Sequence, residues 1–268
     1  ALFSRAGMPV FRTPGPAVAM FSHLSSFYRN QRSLLQVTPP GTEQAAADIV
    51  SAQRIIADAL GDGRTVLSEG ESRQVLDAFH VPVTPASLAQ SSQEAADISV
   101  EPMIRRAHAR ELMIGVVQDP VFGPAIRFGP GGLAVEAQGV CSIALPPLNR
   151  TLAQEMIEDT RLVRVLGAFR HLPAVDSEAI ANALLRVSEM VCELPQIESL
   201  EIDPLVADEH GVLAQGVRIQ LRAQATAGRR YSHMAIHPYP SALERNIRLA
   251  DGTPLILRPI RPEDADNE

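Results

Sequence analysis

Lysine and tryptophan are absent from the 268 residues, and cysteine occurs only twice, at positions 141 and 192. All 24 basic residues are therefore arginine, so no lysine ammonium is available for phosphate binding or for Schiff-base chemistry. Cys141 and Cys192 lack the spacing of a metal site, and two isolated thiols are typical of reduced core cysteines in the cytosol. We therefore expect a cytoplasmic protein.

Other absences exclude classes of partner. No run of 18 apolar residues occurs, so we expect no membrane-spanning helix and no membrane partner. The net charge of -7 argues against a nucleic-acid surface, which is normally basic. The chain starts with Ala1 and lacks the charged and long apolar regions of a signal peptide. We therefore expect it to be an internal piece of a longer protein.

Hydrophobic periodicity indicates helices in the first part of the chain. Apolar residues at spacings of three and four predict amphipathic helices within residues 12–38 and 45–63. Ser68 precedes a third helical pattern, and Glu71 follows it at the spacing of a capping box. The stretch 81–89 is then typical of a strand.

Strands dominate after residue 100. The runs 109–119 and 123–132 flank the turn sequence "DPVFGP" and predict an antiparallel hairpin. Residues 151–168 and 177–193 predict amphipathic helices, and residues 200–219 predict a second hairpin around "ADEHG". The expected fold class is α/β, becoming α+β in the second half, with an antiparallel sheet flanked by helices.

Two carboxylates lie close together in the first strand of the second predicted hairpin. Because side chains alternate along a strand, Glu201 and Asp203 are expected on the same face. A pair of acids on a hairpin is more often a solvated surface than a metal site. Periodicity alone leaves both interpretations open.

The motifs "DPVFGPAIRFGPGG", "ALPPLN" and "IESLEIDPLVADEHGVLA" occur in this order. Together they resemble the ATP-grasp subunit of ADP-forming acyl-CoA synthetases. Residues 2–31 look like the end of the CoA-ligase domain that precedes ATP-grasp in fused enzymes. Residues 234–265 look like the connector into a GCN5-related N-acetyltransferase (GNAT) domain, including its first strand. That three-part order is characteristic of bacterial protein lysine acetyltransferases.

The resemblance implies four segments. Residues 1–38 would end a flavodoxin-like CoA-ligase domain, and 39–63 would form a linker and a helix. Residues 64–223 would form the ATP-grasp-like domain. Residues 224–268 would contain a linker and the first strand of the acetyltransferase domain.

The resemblance also implies a site for ATP and Mg²⁺, with acetyl-CoA or CoA bound elsewhere in the parent protein. A hinge beside the adenine, a strand glutamate and a glycine pair would contact the nucleotide. The implied residues are Val100, Glu101, Met103, Glu111, Gly131 and Gly132. Asp203 would hold magnesium, and Glu201 shares its face and could substitute for a lost ligand.

Two departures from the family pattern affect this site. The aspartate that relatives carry on the returning strand is replaced by Gly216, which removes one of two magnesium carboxylates. In the family, a strand with a phosphate-contacting lysine and a Ser/Asp/Gly-rich loop follow the helix matched by residues 91–98. Here Ser99 runs directly into the hinge, so most of the first nucleotide-binding subdomain is missing from the sequence as given. The sequence leaves open whether this segment is deleted in the protein or whether further residues belong between Ser99 and Val100.

We therefore expect an acyl-CoA-synthetase-like regulatory region of a GNAT-type protein lysine acetyltransferase. The parent would transfer acetyl groups from acetyl-CoA to protein lysines through a domain absent from this chain, so no catalytic residue is assigned here. An active ATP-dependent, ADP-forming acyl-CoA ligase is the first alternative, and a non-catalytic oligomerisation scaffold is the second. The expected partners are acyl-CoA or nucleotide, further copies of the chain and, through the absent domain, lysine substrates.

Overall fold

The computed structural model describes residues 11, 13–34, 45–84, 108–132, 141–158, 166–168, 172–222, 230–261 and 264. The chain divides into two compact units. The larger unit comprises residues 38–240, and the smaller unit comprises residues 1–37 with 241–268. The domain boundaries drawn from the sequence stay predictions.

The described residues form five α-helices and eight strands. The helices are α1 (Pro14–Leu34), α2 (Ile49–Gly61), α3 (Glu69–Ala78), α4 (Arg150–Glu158) and α5 (Ser177–Glu193). The strands are β1 (Arg110–Asp119), β2 (Gly123–Pro130), β3 (Ser142–Ala144), β4 (Ile197–Asp208), β5 (Gly211–Ala214), β6 (Val217–Leu221), β7 (Arg245–Arg248) and β8 (Pro254–Leu257). A single 3-10 turn at Ser241–Leu243 precedes β7.

A six-stranded antiparallel sheet forms the centre of the larger unit. Its order is β3-β2-β1-β4-β5, and β6 also pairs with β4. The turn between β1 and β2 is closed by Asp119, whose carboxylate accepts hydrogen bonds from the backbone N–H groups of Val121 and Phe122 at 2.8 and 2.9 Å. The mixed α/β fold with an antiparallel sheet flanked by helices is therefore confirmed.

The sheet presents an apolar face and a polar face. On the apolar face, residues of five strands pack with α2, α3, α4 and α5 in one hydrophobic core. The buried strand residues of that core include Leu112, Ile114, Val116, Ile126, Phe128, Leu200, Ile202, Ile219 and Leu221. The alternate positions define the polar face, which carries Glu111, Arg127, Glu201, Asp203 and Arg218. Burial of the apolar face leaves these charged groups together on the other side of the sheet.

One irregularity in the sheet lies at a predicted site residue. Leu112 pairs with Leu205, whereas Ile114 pairs with Ile202, so β4 has one extra residue in this interval. Asp203 and Pro204 therefore both lie opposite Met113. Such a bulge bends the strand locally and re-aims a side chain, which is why bulges are frequent beside functional sites.

The capping box predicted at the start of α3 is confirmed. The Ser68 hydroxyl accepts a hydrogen bond from the Glu71 backbone N–H, and the Glu71 carboxylate accepts one from the Ser68 backbone N–H at 2.8 Å. Arg64 donates to both oxygens of Glu71, each at 2.8 Å. Because Arg64 and Ser68 stabilise the carboxylate, the pKa of Glu71 is lowered to about 2. The side chains of Val75 and Leu76 are fully buried on the other side of this helix.

Two predicted elements of the larger unit run into residues outside the described part of the chain. The stretch 81–89 was predicted as a strand, but its described part forms a single bridge between Val83 and Ala214. Ala214 at the end of β5 donates its backbone N–H to the carbonyl oxygen of Pro82 at 2.8 Å and accepts a hydrogen bond from the Thr84 N–H at 3.1 Å. The helix predicted at 151–168 is α4, which ends at Glu158 before residues outside the described part of the chain.

Both cysteines are free thiols. Cys192 is buried in α5, and this burial raises the pKa of its thiol to about 12. Cys141 is partly exposed. The expectation of a core cysteine holds for Cys192 and not for Cys141, and the thiol of Cys192 is protonated at neutral pH.

The smaller unit contains a helix and a hairpin. The predicted amphipathic helix is confirmed as α1, and its apolar residues Val18 and Phe21 are 68% and 75% exposed. β7 and β8 pair from Arg245–Leu257 to Arg248–Pro254. The assignment of this hairpin to an acetyltransferase domain stays a prediction, as does the flavodoxin-like origin of α1. Within the described part of the chain, no helix has the length and apolar character needed to cross a membrane.

Replacing Glu71 by Gln should make the stability of the protein less dependent on pH. The native pKa lies below that of an unfolded glutamate, so Glu71 contributes stability above pH 4.5 that is lost as the pH falls towards 2. The difference in unfolding free energy between wild type and Glu71→Gln should therefore shrink across that range. Urea unfolding at a series of pH values measures it.

Glu158→Gln is the matched control, because Glu158 is exposed at the end of α4. The free energy of unfolding of Glu158→Gln should stay close to that of the wild type at each pH. If the difference in unfolding free energy between wild type and Glu71→Gln stayed constant between pH 5 and pH 2.5, the lowered pKa of Glu71 would be contradicted.

Candidate functional site

Three predicted nucleotide contacts, Val100, Glu101 and Met103, lie outside the described residues. The remaining predicted residues lie on the polar face of the sheet or at its edge. Four of them, Glu111, Gly131, Gly132 and Asp203, contact one another and are called the β2-end cluster below. The glycines follow β2 directly, so the pairing of β1 and β2 positions them.

Gly131 continues the pairing of β2 with β1 by one residue. Its backbone N–H donates a hydrogen bond to the carbonyl oxygen of Glu111 at 2.9 Å. A Cβ atom at Gly131 would overlap the Leu112 carbonyl oxygen and would lie 2.9 Å from Oδ1 of Asp203. Only glycine lets the chain pass this close to β1 and to the carboxylate.

The two carboxylates of the cluster, those of Glu111 and Asp203, both lie next to Gly132. Its backbone N–H donates to Oδ1 of Asp203 at 2.7 Å. Its φ of +60° lies in the left-handed region, and a Cβ atom there would overlap Oε2 of Glu111. The side chain of Glu111 therefore occupies the space that glycine leaves open. Glu111 and Asp203 thus approach the same backbone turn from two different strands.

Gly216 packs against the backbone of Asp203. The Asp203 backbone N–H donates to the carbonyl oxygen of Gly216 at 3.0 Å, and the Gln215 N–H donates to the carbonyl oxygen of Pro204 at 3.1 Å. A Cβ atom at Gly216 would overlap the Asp203 carbonyl oxygen and would lie 2.9 Å from its carbonyl carbon. The glycine that stands where the resemblance implies an aspartate is therefore part of a close backbone contact. A carboxylate could not be restored here without moving β4 or β6.

Glu201 lies on the same face as the cluster but in a different cross-strand row. Its partners are Gly115 on β1 and Arg218 on β6. Glu201 is exposed, and it makes no hydrogen bond or ion pair with any described residue. The structure therefore unites Asp203 with the glycine pair and leaves Glu201 outside that group. Its role as a magnesium ligand stays a prediction.

The chemistry of these oxygens bears on magnesium. The described residues contain no group of three or more His, Cys, Asp or Glu side chains that could hold a metal ion by itself. Magnesium is usually held by one or two carboxylates, with waters and substrate phosphates completing the octahedron. Asp203 and Glu111 could provide these one or two carboxylates. Magnesium would accordingly arrive with a phosphate ligand rather than occupy a cage made by the protein.

Sequence analysis did not identify Arg127 as part of this surface. Arg127 lies on β2, directly across from Gly115, and it is half-buried. Its Nε is buried and has no hydrogen-bond partner among the described residues. The signal was present in the motif "GPAIRFGP", where a charged residue stands between buried Ile126 and Phe128. Alternation predicts that such a residue lies on the opposite face.

Comparison with known proteins agrees with this geometry. Residues 96–221 match the family model for an ATP-grasp domain. The chain is 36% identical over 112 residues to the β subunit of ADP-forming acetate–CoA ligase I from Pyrococcus furiosus, covering 42% of this chain and 48% of that protein. It is 26% identical over 220 residues to the β subunit of ligase II from the same organism, covering 60% of this chain and 92% of that protein.

A solved structure shows the same fold. The dinucleotide-forming acetyl-CoA synthetase 1 of Ca. Korarchaeum cryptofilum, in complex with coenzyme A, Ca-AMPCP and HgCl+, has a TM-score of 0.57 and 26% sequence identity. The match covers 64% of this chain and 100% of that chain. This chain spans about half the length of the first ligase subunit, and 16% of the length of acetate–CoA ligase I from Archaeoglobus fulgidus, to which it is 35% identical.

The fold is therefore an ATP-grasp fold, with an antiparallel sheet flanked by helices. This ATP-grasp domain is homologous to the β subunits of ADP-forming acetyl-CoA synthetases. The similarities support the acyl-CoA synthetase part of the expectation from sequence. They do not bear on the acetyltransferase part.

Replacing Gly216 by Ala should destabilise the protein, because the added methyl group would overlap the Asp203 carbonyl oxygen. We expect a loss of about 1–3 kcal/mol in the free energy of unfolding, the usual cost of overpacking. Gly61→Ala is the control, since nothing lies within 4 Å of a Cβ atom at that helical glycine. Urea denaturation of both variants measures the difference.

Gly61→Ala should be neutral or slightly stabilising because alanine favours the helix. Equal stability of Gly216→Ala and wild type would mean that β4 and β6 separate easily. In that case the close contact would not explain why glycine stands at position 216.

Proposed function

We propose that this chain is the nucleotide-binding ATP-grasp region of a protein of the ADP-forming acyl-CoA ligase type. Its ligand would be Mg–ATP or Mg–ADP, bound at the β2-end cluster on the polar face. The observation that carries the proposal is the convergence of Glu111 and Asp203 on the backbone of Gly132. Two carboxylates from different strands meet there at a glycine turn, in a domain homologous to nucleotide-dependent ligases.

The cluster suits a phosphate–magnesium ligand better than a bare metal ion. Gly131 and Gly132 carry no side chain, so the carboxylates of Asp203 and Glu111 can lie close to the backbone of this turn. Oδ1 of Asp203 accepts the Gly132 N–H, and this hydrogen bond fixes the orientation of the carboxylate. A carboxylate held in one orientation loses little entropy when it binds a cation. Bound magnesium would neutralise phosphate charge during phosphoryl transfer.

Relatives indicate which step this region would serve. One structure of the Korarchaeum synthetase contains coenzyme A and Mg-AMPPCP, with a phosphohistidine segment that points towards the nucleotide site; it is 25% identical with a TM-score of 0.55. By analogy, a histidine nitrogen outside this chain would attack the terminal phosphorus of ATP. The bond between that phosphorus and the bridging oxygen would break, ADP would leave, and the imidazole would lose its proton to solvent. The residues of this chain would bind and orient the nucleotide.

A second candidate function is regulation of a GNAT-type protein lysine acetyltransferase. It is favoured by Gly216, where relatives carry a second magnesium carboxylate, and by the absence of lysine from the chain. In that case the region would bind nucleotide or acyl-CoA without turnover and would contact further copies of itself. Protein lysines would be acetylated by a separate domain after the β7–β8 hairpin, and the attacking amine would displace CoA from acetyl-CoA.

Calorimetry on the full-length protein should distinguish these functions. Titration with Mg–ATP and with acetyl-CoA should give binding of both for a ligase, together with release of ADP when acid and CoA are added. Binding of acetyl-CoA without ADP release would favour regulation. If neither ligand binds, the chain is a scaffold and the nucleotide proposal is wrong.

Replacing Asp203 by Ala should reduce the dependence of nucleotide binding on magnesium. The ratio of the ATP dissociation constants without and with magnesium should fall by about tenfold, which corresponds to 1.4 kcal/mol. The physical reason is the loss of the carboxylate that would complete the magnesium shell. Asp203→Asn keeps an oxygen in place and accepts the Gly132 N–H, so it should retain most of the effect.

Glu201→Ala is the comparison variant, because Glu201 is exposed in a neighbouring row of the same face. The ratio of its ATP dissociation constants without and with magnesium should equal that of the wild type. A larger effect from Glu201→Ala than from Asp203→Ala would transfer the metal role to Glu201.

A further inference from the structure

Arg127 occupies an unusual position on the polar face. The cross-strand row through it runs from Arg218 on β6 to Glu201 on β4, Gly115 on β1 and Arg127 on β2. Because Gly115 has no side chain, the arginine lies over the strand next to its own. Nε of Arg127 is 3.9 Å from the position that a Cβ atom of Gly115 would occupy. The side chain of Arg127 therefore extends across β1 towards β4, where Glu201 pairs with Gly115.

The guanidinium of Arg127 is paired with no anion among the described residues. It forms no hydrogen bond or ion pair with any described residue, including Glu201, although the two lie in the same row. Its Nε is fully buried without a partner. A buried donor that stays unsatisfied costs about 1–3 kcal/mol, so this arrangement favours an external acceptor.

The β2-end cluster lies along the same strand. Arg127, Gly129 and Gly131 alternate on one face of β2, and the side chain between the arginine and the cluster is that of Met113 on β1, which pairs with Gly129. Four residues of strand correspond to about 13 Å, and an arginine side chain covers part of that distance. A ligand held at Asp203 and Gly132 could therefore extend along β2 to the guanidinium.

The chemistry of the chain points to a phosphate as the acceptor. Binding of a triphosphate requires cationic side chains, and all 24 cationic side chains of this chain are arginines. A planar guanidinium matches a phosphate group with two parallel hydrogen bonds, which is why arginine is frequent in phosphate sites. Carboxylates at one end of the face and a free guanidinium further along would suit magnesium and phosphate, respectively.

We infer that Arg127 is a phosphate-binding residue of the nucleotide site and contacts the terminal phosphate of bound ATP. This inference rests on the proposed function, because it places the nucleotide at the β2-end cluster. It assigns the phosphate contact that a lysine makes in relatives to an arginine on a different strand. Arg127 would therefore select for ATP over nucleotides that lack the terminal phosphate.

The test is calorimetry with magnesium and a non-hydrolysable ATP analogue, and separately with AMP, on the full-length protein. Arg127→Gln should weaken binding of the ATP analogue at least about tenfold. Binding of AMP should be unchanged. Arg127→Lys should keep part of the affinity, because it retains the charge but not the planar fork. Arg54→Gln is the control, since Arg54 is exposed on α2, and it should bind both ligands as the wild type does.

The outcomes separate this inference from the function on which it rests. If the wild type does not bind the ATP analogue, both are wrong. If the wild type binds it and Arg127→Gln binds it equally well, only the inference on Arg127 is wrong. The melting temperature of each variant shows whether an effect is structural. A lowered melting temperature with equal loss of affinity for both ligands would assign Arg127 a packing role instead.

Discussion

The structure of the candidate site depends on how closely the backbone approaches Asp203. Three glycines, Gly131, Gly132 and Gly216, pass so near to β1, Glu111 or β4 that a Cβ atom at any of them would overlap a neighbour. The bulge at Asp203 lies where these segments meet, and it aims the carboxylate at the Gly132 N–H. Close backbone packing, rather than a network of side chains, therefore holds the two carboxylates in place.

This packing also bears on Gly216, where the resemblance implies that relatives carry a magnesium-binding aspartate. The loss of that aspartate alone would indicate only a weaker metal site. Here the same position is in contact with the Asp203 carbonyl oxygen, so the backbone has closed over the space of the side chain. A site of this kind contributes one or two carboxylates and relies on phosphate oxygens for the rest. In the proposed site, arginine would balance part of the phosphate charge, and Arg127 lies on the polar face where it could do so.

Much of the local structure could be predicted because its causes are local. The capping box of Ser68 and Glu71 requires only a spacing of three residues, and the Asp119 turn requires only its own neighbours. Alternation correctly separated the apolar and polar faces of the sheet. The described part of the strand predicted at 81–89 pairs with Ala214 at the end of β5, a partner 131 residues away from Val83. Propensity carries no information about such a distant partner.

The sequence by itself determined the fold class and the chemical inventory: an antiparallel sheet flanked by helices, acids on one strand, and arginine as the only strong cation. Spacing and composition are enough for these properties. Tertiary structure decided which acids act together, joining Asp203 to Glu111 across two strands and leaving Glu201 in another row. It also decided that Arg127 lies over Gly115 without a partner among the described residues. The physical reason is that strand register and a one-residue bulge determine which side chains meet, and both depend on long-range pairing.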